Sequence, residues 1–299
     1  MANPAYGPHE QLVAPARAHP AIWRLFLGLL LVAAIVLGLN SAMQSVLFAL
    51  APEYWRGEFA SAETQGDDPL SMLVLLASFV FVIFAISVAT RYIHKRAFPG
   101  MIGPAPVAAA QFWAVFRLLL VLGAVVLILP PYSMGAPMVA NLGLGLWLVL
   151  LPVSLLAVLI QTSAEELLFR GYIQQALAAR FNSPLVWMVL PAALFALGHY
   201  IPAQAGANAG LIALWSGVFG ILMADLTARA GTLGPAIAVH LFNNMIALLI
   251  ISLPGALSGL ALYVLPFQMN DTDSLRGWLL VDFAMMFVSW LAARLAIRR

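Results

Sequence analysis

The chain contains no cysteine, which removes disulfides, thiolate metal ligands and a cysteine nucleophile together. Lysine occurs once, as Lys95 in a loop, so a Ser-Lys catalytic pair has no support. Charge is scarce: 9% of the 299 residues are Asp, Glu, Lys or Arg, against about 25% in a soluble domain. With 63% hydrophobic residues, this composition marks an integral membrane protein rather than a water-soluble globule. The formal net charge of +2 is too small to suggest a nucleic-acid partner, and the 14 basic residues read as topology markers. Any metal would have to be held by His, Asp, Glu or Asn. The first residues, with Pro4, Pro8, Pro15 and Pro20, lack the basic region and small-residue cleavage site of a signal peptide. Residues 1–21 are expected to form a disordered cytoplasmic tail ahead of a retained first anchor.

Runs of roughly 20 apolar residues can cross a hydrocarbon core about 30 Å thick as helix. Such runs occur at 25–50, 70–90, 111–129, 142–180 with a bend expected near Pro152, 184–200, 211–228, 235–253 and 277–297. The third is expected to end at Pro130-Pro131, and Leu257 to Pro266 is too short to cross and reads as an interfacial piece. The loop holding Glu53, Glu58, Glu63, Asp67 and Asp68 is acidic, whereas Arg91 to Arg96 is basic. Short cytoplasmic loops accumulate Lys and Arg, so both termini and the loops near Arg91, Arg180 and Arg229 are placed in the cytoplasm. The fold expected is all-α: one polytopic bundle of about eight transmembrane helices over 1–299, N-in and C-in, with residues 140–253 as its catalytic core helices.

Against this apolar background, the stretch Thr162 to Gly171 carries Glu165, Glu166 and Arg170. An ionisable residue at bilayer depth costs several kcal/mol and is a functional-site hypothesis by default. The next polar residues at depth are His199, four after Phe195, and then His240 and Asn244, also four apart. Residues four apart share a helix face. Glu166 can therefore pair with Arg170, Phe195 can buttress His199, and His240 and Asn244 can point at one ligand. Glu165, about 100° round the helix from Glu166, is left for chemistry. A hairpin turning at Asn182-Ser183 brings Glu165 and His199 to similar depth, and a protruding hairpin would open the pocket on the cytoplasmic side. Arg117 reads as a residue that snorkels or pairs inside the bundle, and Asp225 with Arg229 as an interfacial pair.

A carboxylate beside a histidine suits activation of water, with Glu165 as general base and His199 orienting or sharing the proton. His240 and Asn244 fit an oxyanion hole, so the reaction class that uses all four is amide hydrolysis. A less favoured alternative gives Glu165, His199 and His240 as three ligands of a divalent metal such as zinc. There is no His-Glu-x-x-His helix to demand it. A non-enzymatic immunity or scaffold role would use the same cluster for binding. A proton-coupled transporter would use it as a relay, although no internal repeat is visible.

The ordered motifs Glu165-Glu-Leu-Leu-Phe-Arg170, Phe195-Ala-Leu-Gly-His199 and His240-Leu-Phe-Asn-Asn244 resemble those of the CAAX protease and bacteriocin-processing family of intramembrane endopeptidases, which includes the eukaryotic Ras-converting endoprotease. The resemblance covers about Thr162 to Ala247. It implies that Glu165 and His199 activate the water, that His240 and Asn244 stabilise the oxyanion, and that no metal is required. It also implies a peptide or protein substrate in a bilayer and, by likeness to the bacterial members, an inner-membrane location. A prenylated substrate does not carry over.

Overall fold

The computed structural model describes residues 4–61, 64–128, 137–255 and 257–298. Six helices are long and apolar enough to cross a membrane, and two shorter apolar helices lie among them. In chain order these are α1 (Ile22–Leu50), α2 (Pro69–Tyr92), α3 (Ala105–Ile128), α4 (Leu144–Arg180), α5 (Leu185–Gly198), α6 (Pro202–Ala230), α7 (Gly234–Ile250) and α8 (Thr272–Ala296). The chain is thus an all-α, multi-pass membrane bundle. The expected Pro130-Pro131 helix end lies outside the described residues.

The outer surface is hydrocarbon: Leu30 is 69% exposed, Val149 76% and Leu291 53%. Lipid chains are as apolar as leucine, so these side chains do not drive the helices together, and close packing and polar contacts must do so. α6 is the bundle's centre, with half of its apolar window buried against 11% to 28% in the other five long helices. Small residues allow the close approach. Gly220 faces Ala192 of α5, where an added Cβ would meet the alanine Cβ at 2.9 Å.

One end of the bundle, here the proximal end, gathers the loops between α2 and α3, α4 and α5, and α6 and α7. The N-terminal segment also lies there, and the structure corrects its expected disorder. Residues 4–18 form short helical turns, with His9, Leu12 and Val13 buried. The physical reason is the partners that this proline-rich segment finds. Tyr6 donates to Asp225 at 2.8 Å, Gln11 donates to the Gly231 carbonyl at 2.6 Å, and Arg96 donates to the Leu12 carbonyl at 3.0 Å. Gly231 adopts φ +69° to end α6, a left-handed cap that favours glycine, and its missing side chain leaves room for Gln11.

At the distal end a three-stranded patch of two-residue strands, β1 (Val139–Ala140), β2 (Ile251–Ser252) and β3 (Tyr263–Val264), orders as β1-β3-β2. The segment expected to be interfacial packs here, with Gly259 N–H donating to the Gly66 carbonyl at 2.9 Å. Arg117, expected to snorkel or to pair inside the bundle, does not pair there. It has no carboxylate partner among the described residues and is exposed on α3, its Nε donating to the Trp113 carbonyl at 3.0 Å. Asp225 and Arg229 do pair, at 2.8 and 2.9 Å. Asp225 also accepts from Tyr6 and Trp290, so the pair ties the N-terminal segment and α8 to α6.

Candidate active site

The apolar helix α4 reaches Glu165 and Glu166 as regular α-helix and then continues as a π-helix over Leu167–Ile173. Single π turns inside α-helices occur frequently at functional sites. The turn follows directly on the two carboxylates, and a second π segment, Ile246–Ile250, follows Asn244 on α7.

Glu166 is fully buried and its Oε1 is shared. It accepts from Arg170 at 3.0 Å and from His240 Nδ1 at 2.8 Å. Arg170, 1% exposed, also donates to the Gly220 carbonyl at 3.1 Å, and its guanidinium stands 5.2 Å from the Phe195 ring centroid. A buried arginine without these partners would be prohibitive; the carboxylate neutralises its charge, and the two acceptors engage both of its terminal nitrogens.

With Nδ1 committed to Glu166, His240 turns Nε2 towards Glu165 Oε2 at 3.4 Å. The Glu165 side chain remains 17% exposed while that of Glu166 is at 0%. Two adjacent carboxylates thus occupy different surroundings: Glu166 fixes the imidazole and the guanidinium, and Glu165 reaches accessible space. One turn along, Asn244 Nδ2 donates to Gln161 Oε1 at 2.8 Å. Gln161 and Glu165 are four apart on α4, and His240 and Asn244 four apart on α7, so the antiparallel helices meet as two rungs of side chains.

His199 stands at the C-terminal cap of the regular part of α5. Its Nδ1 donates to the Phe195 carbonyl at 2.8 Å, which leaves Nε2 as the lone-pair nitrogen. It forms no hydrogen bond or ion pair with Glu165 among the described residues. Phe195 instead separates the two histidines, 4.4 Å from the His199 ring and 6.2 Å from the His240 ring, centroid to centroid. The structure therefore brings together Glu165, Glu166, Arg170, Phe195 and His240, joins Asn244 through Gln161, and places His199 beside the group across an aromatic ring.

The three residues considered for a metal do not gather as a ligand set. Glu165 and His240 approach each other, but His240 Nδ1 is engaged by Glu166 and His199 is held apart by Phe195. Among the described residues, the carboxylates that do converge, with ligand atoms within 4.8 Å of one another, are Glu58, Asp67 and Asp68 at the distal end. Burial and then the neighbouring acids raise Glu58 to about 7.

Gln161 escaped sequence reasoning, although it is a buried polar residue exactly one turn before Glu165 on an apolar helix. Phe219, whose ring lies 5.0 Å from that of His240, carried no signal beyond hydrophobicity. The Gly220 carbonyl was equally silent, since a backbone acceptor has no sequence signature.

Residues 145–246 match the family model "Type II CAAX prenyl endopeptidase Rce1-like". The chain is 31% identical over 253 residues to the uncharacterized protein YyaK of Bacillus subtilis (strain 168), covering 79% of this chain and 80% of that protein. No solved structure matches it. The matched region holds every residue of the cluster just described, and the chain belongs to the type II CAAX prenyl endopeptidase Rce1-like family.

Proposed function

We propose that the protein is an intramembrane endopeptidase that hydrolyses a peptide bond with water activated by Glu165. The observation that carries this reading is the unequal use of the two carboxylates: Glu166 is consumed by Arg170 and His240, and Glu165 is left partly accessible beside His240 Nε2. Glu165 takes a proton from water as the water oxygen attacks the scissile carbonyl. The negative charge that develops on the carbonyl oxygen receives N–H donation from His240 Nε2 and from the second Nδ2 hydrogen of Asn244. Donation from Nδ1 to Glu166 and from Nε2 to the oxyanion together require both ring nitrogens of His240 to carry hydrogen. His199 orients the water through Nε2. Collapse of the tetrahedral intermediate breaks the C–N bond, and Glu165 returns its proton to the leaving amine. No step is routed through a metal.

The substrate in this reading is a peptide or protein segment presented at the proximal end, whose basic loops support a cytoplasmic orientation, in a bacterial inner membrane. The test is a comparison of newly formed protein N-termini in membranes of cells expressing the wild type or Glu165→Gln, at equal protein levels. Termini present only with the wild type support the reading. Indistinguishable sets overturn it and leave a binding role for the same cluster.

A further inference from the structure

The proximal end holds a group of cations that no carboxylate among the described residues neutralises. Arg24, in the first turn of α1, donates through Nη1 to the Ile93 carbonyl, which ties α1 to the basic loop after α2. Arg96 in that loop donates through Nη2 to main-chain carbonyls, of Leu12 at 3.0 Å and of Gly100 at 2.8 Å. Nη1 of Arg96, and Nε and Nη2 of Arg24, have no hydrogen-bond or ion-pair partner among the described residues. The proximal acids outside the catalytic cluster are already taken, Glu10 by Arg17 and Asp225 by Arg229.

The crowding of positive charge registers at His94. Burial, and then the charges of Arg24, Arg96 and His19, lower it from 6.5 to about 4, and burial alone lowers Arg96 to about 10. Cations gathered in a partly buried place are costly until an anion joins them. His94 itself is committed elsewhere: its Nε2 is 2.8 Å from the Tyr172 hydroxyl. Gly28 lets that hydroxyl lie against α1, since a Cβ there would overlap it. The free donors therefore belong to the two arginines.

The depth of the group is that of a lipid headgroup. Trp23 and Tyr92, 55% and 67% exposed, flank it on α1 and α2, which pack together. Exposed amphipathic rings at the ends of spanning helices mark the membrane–water interface. From there Phe26, Leu27 and Leu30 continue the exposed apolar surface of α1 into the bilayer. The cleft lined by His94, Arg96 and Tyr172 has room for no more than a water molecule, about 10 Å³, so an anion lies across its opening and is not enclosed.

We infer that Arg24 and Arg96 form a headgroup site for an anionic phospholipid, their guanidiniums donating to its phosphate oxygens while its acyl chains lie along α1. The charge class follows from the same missing carboxylate. A choline or ethanolamine headgroup brings a cation that nothing there receives, whereas a glycerol headgroup brings none. Basic groups beside a membrane attract anionic lipid in general; here the two arginines are also held in place by the Ile93, Leu12 and Gly100 carbonyls, which makes the site local. The inference goes beyond the proposed peptidase chemistry, and its test needs no peptide substrate.

The test uses the full chain, delipidated in detergent, with retention of added phosphatidylglycerol or phosphatidylcholine read by native mass spectrometry. Phosphatidylglycerol should occupy one saturable site. Arg24→Gln and Arg96→Gln should each weaken that binding at least about fivefold, the contribution of one basic group at an anionic membrane surface, and leave phosphatidylcholine binding unchanged. Arg180→Gln, at the exposed proximal end of α4, is the control and should have little effect. Wild type in nanodiscs gives a second readout that needs no variant. The phosphate charge favours the imidazolium, so His94 should titrate at higher pH in phosphatidylglycerol than in phosphatidylcholine. It should also move more than His9, which is buried on the same end and faces Glu10 and Arg17. Equal retention of the two lipids, an equal loss with Arg180→Gln, or a His94 that does not move more than His9 would overturn the proposal. So would the same His94 shift produced by inorganic phosphate in phosphatidylcholine nanodiscs, which would make the site one for free phosphate.

Discussion

Replacing Arg170 with methionine keeps most of the side-chain volume and removes the charge from the most buried ion pair in the described structure. Glu166 would retain the His240 Nδ1 contact at 2.8 Å but lose the guanidinium at 3.0 Å. Its Oε2 is already buried without a partner, so the carboxylate has nothing to fall back on. Removing one partner of a buried pair costs about 3–5 kcal/mol, most of it the penalty of the uncompensated charge. Because the penalty belongs to the charge left behind, Arg170→Met with Glu166→Gln should cost less than the sum of the singles, by about 2–3 kcal/mol. The Arg56–Glu53 pair provides the control, since its side chains are 53% and 89% exposed and Arg56→Ala should cost no more than about 1 kcal/mol. Reversible unfolding in mixed micelles, followed by tryptophan fluorescence, reads all four variants. A loss below about 1 kcal/mol for Arg170→Met, or strict additivity in the double variant, would refute the view that Glu166 and Arg170 stabilise one another as a buried pair.

Gln161→Leu should leave stability within about 2 kcal/mol, the cost of an unmet buried donor on Asn244. On a validated substrate it should lower kcat more than it raises KM, because Asn244 loses its anchor while the binding surface is retained. Equal effects on both would contradict a positioning role. Docking of the N-terminal segment should depend on pH through His9, which burial lowers from 6.5 to about 4. Above pH 6.5 the docked and undocked imidazoles are both neutral. As pH falls from 6.5 to 4 only the undocked form gains a proton, so docking weakens by about 3 kcal/mol, and below 4 the loss is complete. Limited proteolysis near Arg17 at pH 7.5 and 4.5 measures this, and His9→Gln should flatten the response.

The positions of these predictions show which parts of the chain can be read without coordinates. Runs of apolar residues locate the membrane helices because length and hydropathy are local properties, and the pairing of Glu166 with Arg170 follows from helical spacing. The attachment of His240 to Glu166 is tertiary: spacing puts His240 beside Asn244 but does not say which neighbouring carboxylate its Nδ1 meets. For the same reason hairpin counting sets Glu165 and His199 at similar depth without revealing that Phe195 intervenes. The π turn after Glu166 has no compositional mark. The N-terminal segment was obscured by its prolines, which suggest disorder, while Leu12 and Val13 are too short an apolar stretch to signal a docked element. Arg117 was legible as an anomaly, but only the structure shows that it faces outward on α3.

The central claim is that Glu165 is the base that activates water while Glu166 holds the site together. The most direct measurement is the single-turnover rate of peptide-bond cleavage by protein reconstituted in bilayers, on a substrate identified from the N-terminal comparison, for wild type and Glu165→Gln matched in unfolding midpoint. The account predicts a loss of about 10²–10⁴-fold for Glu165→Gln with stability unchanged. Cleavage by Glu165→Gln at the wild-type rate would contradict it.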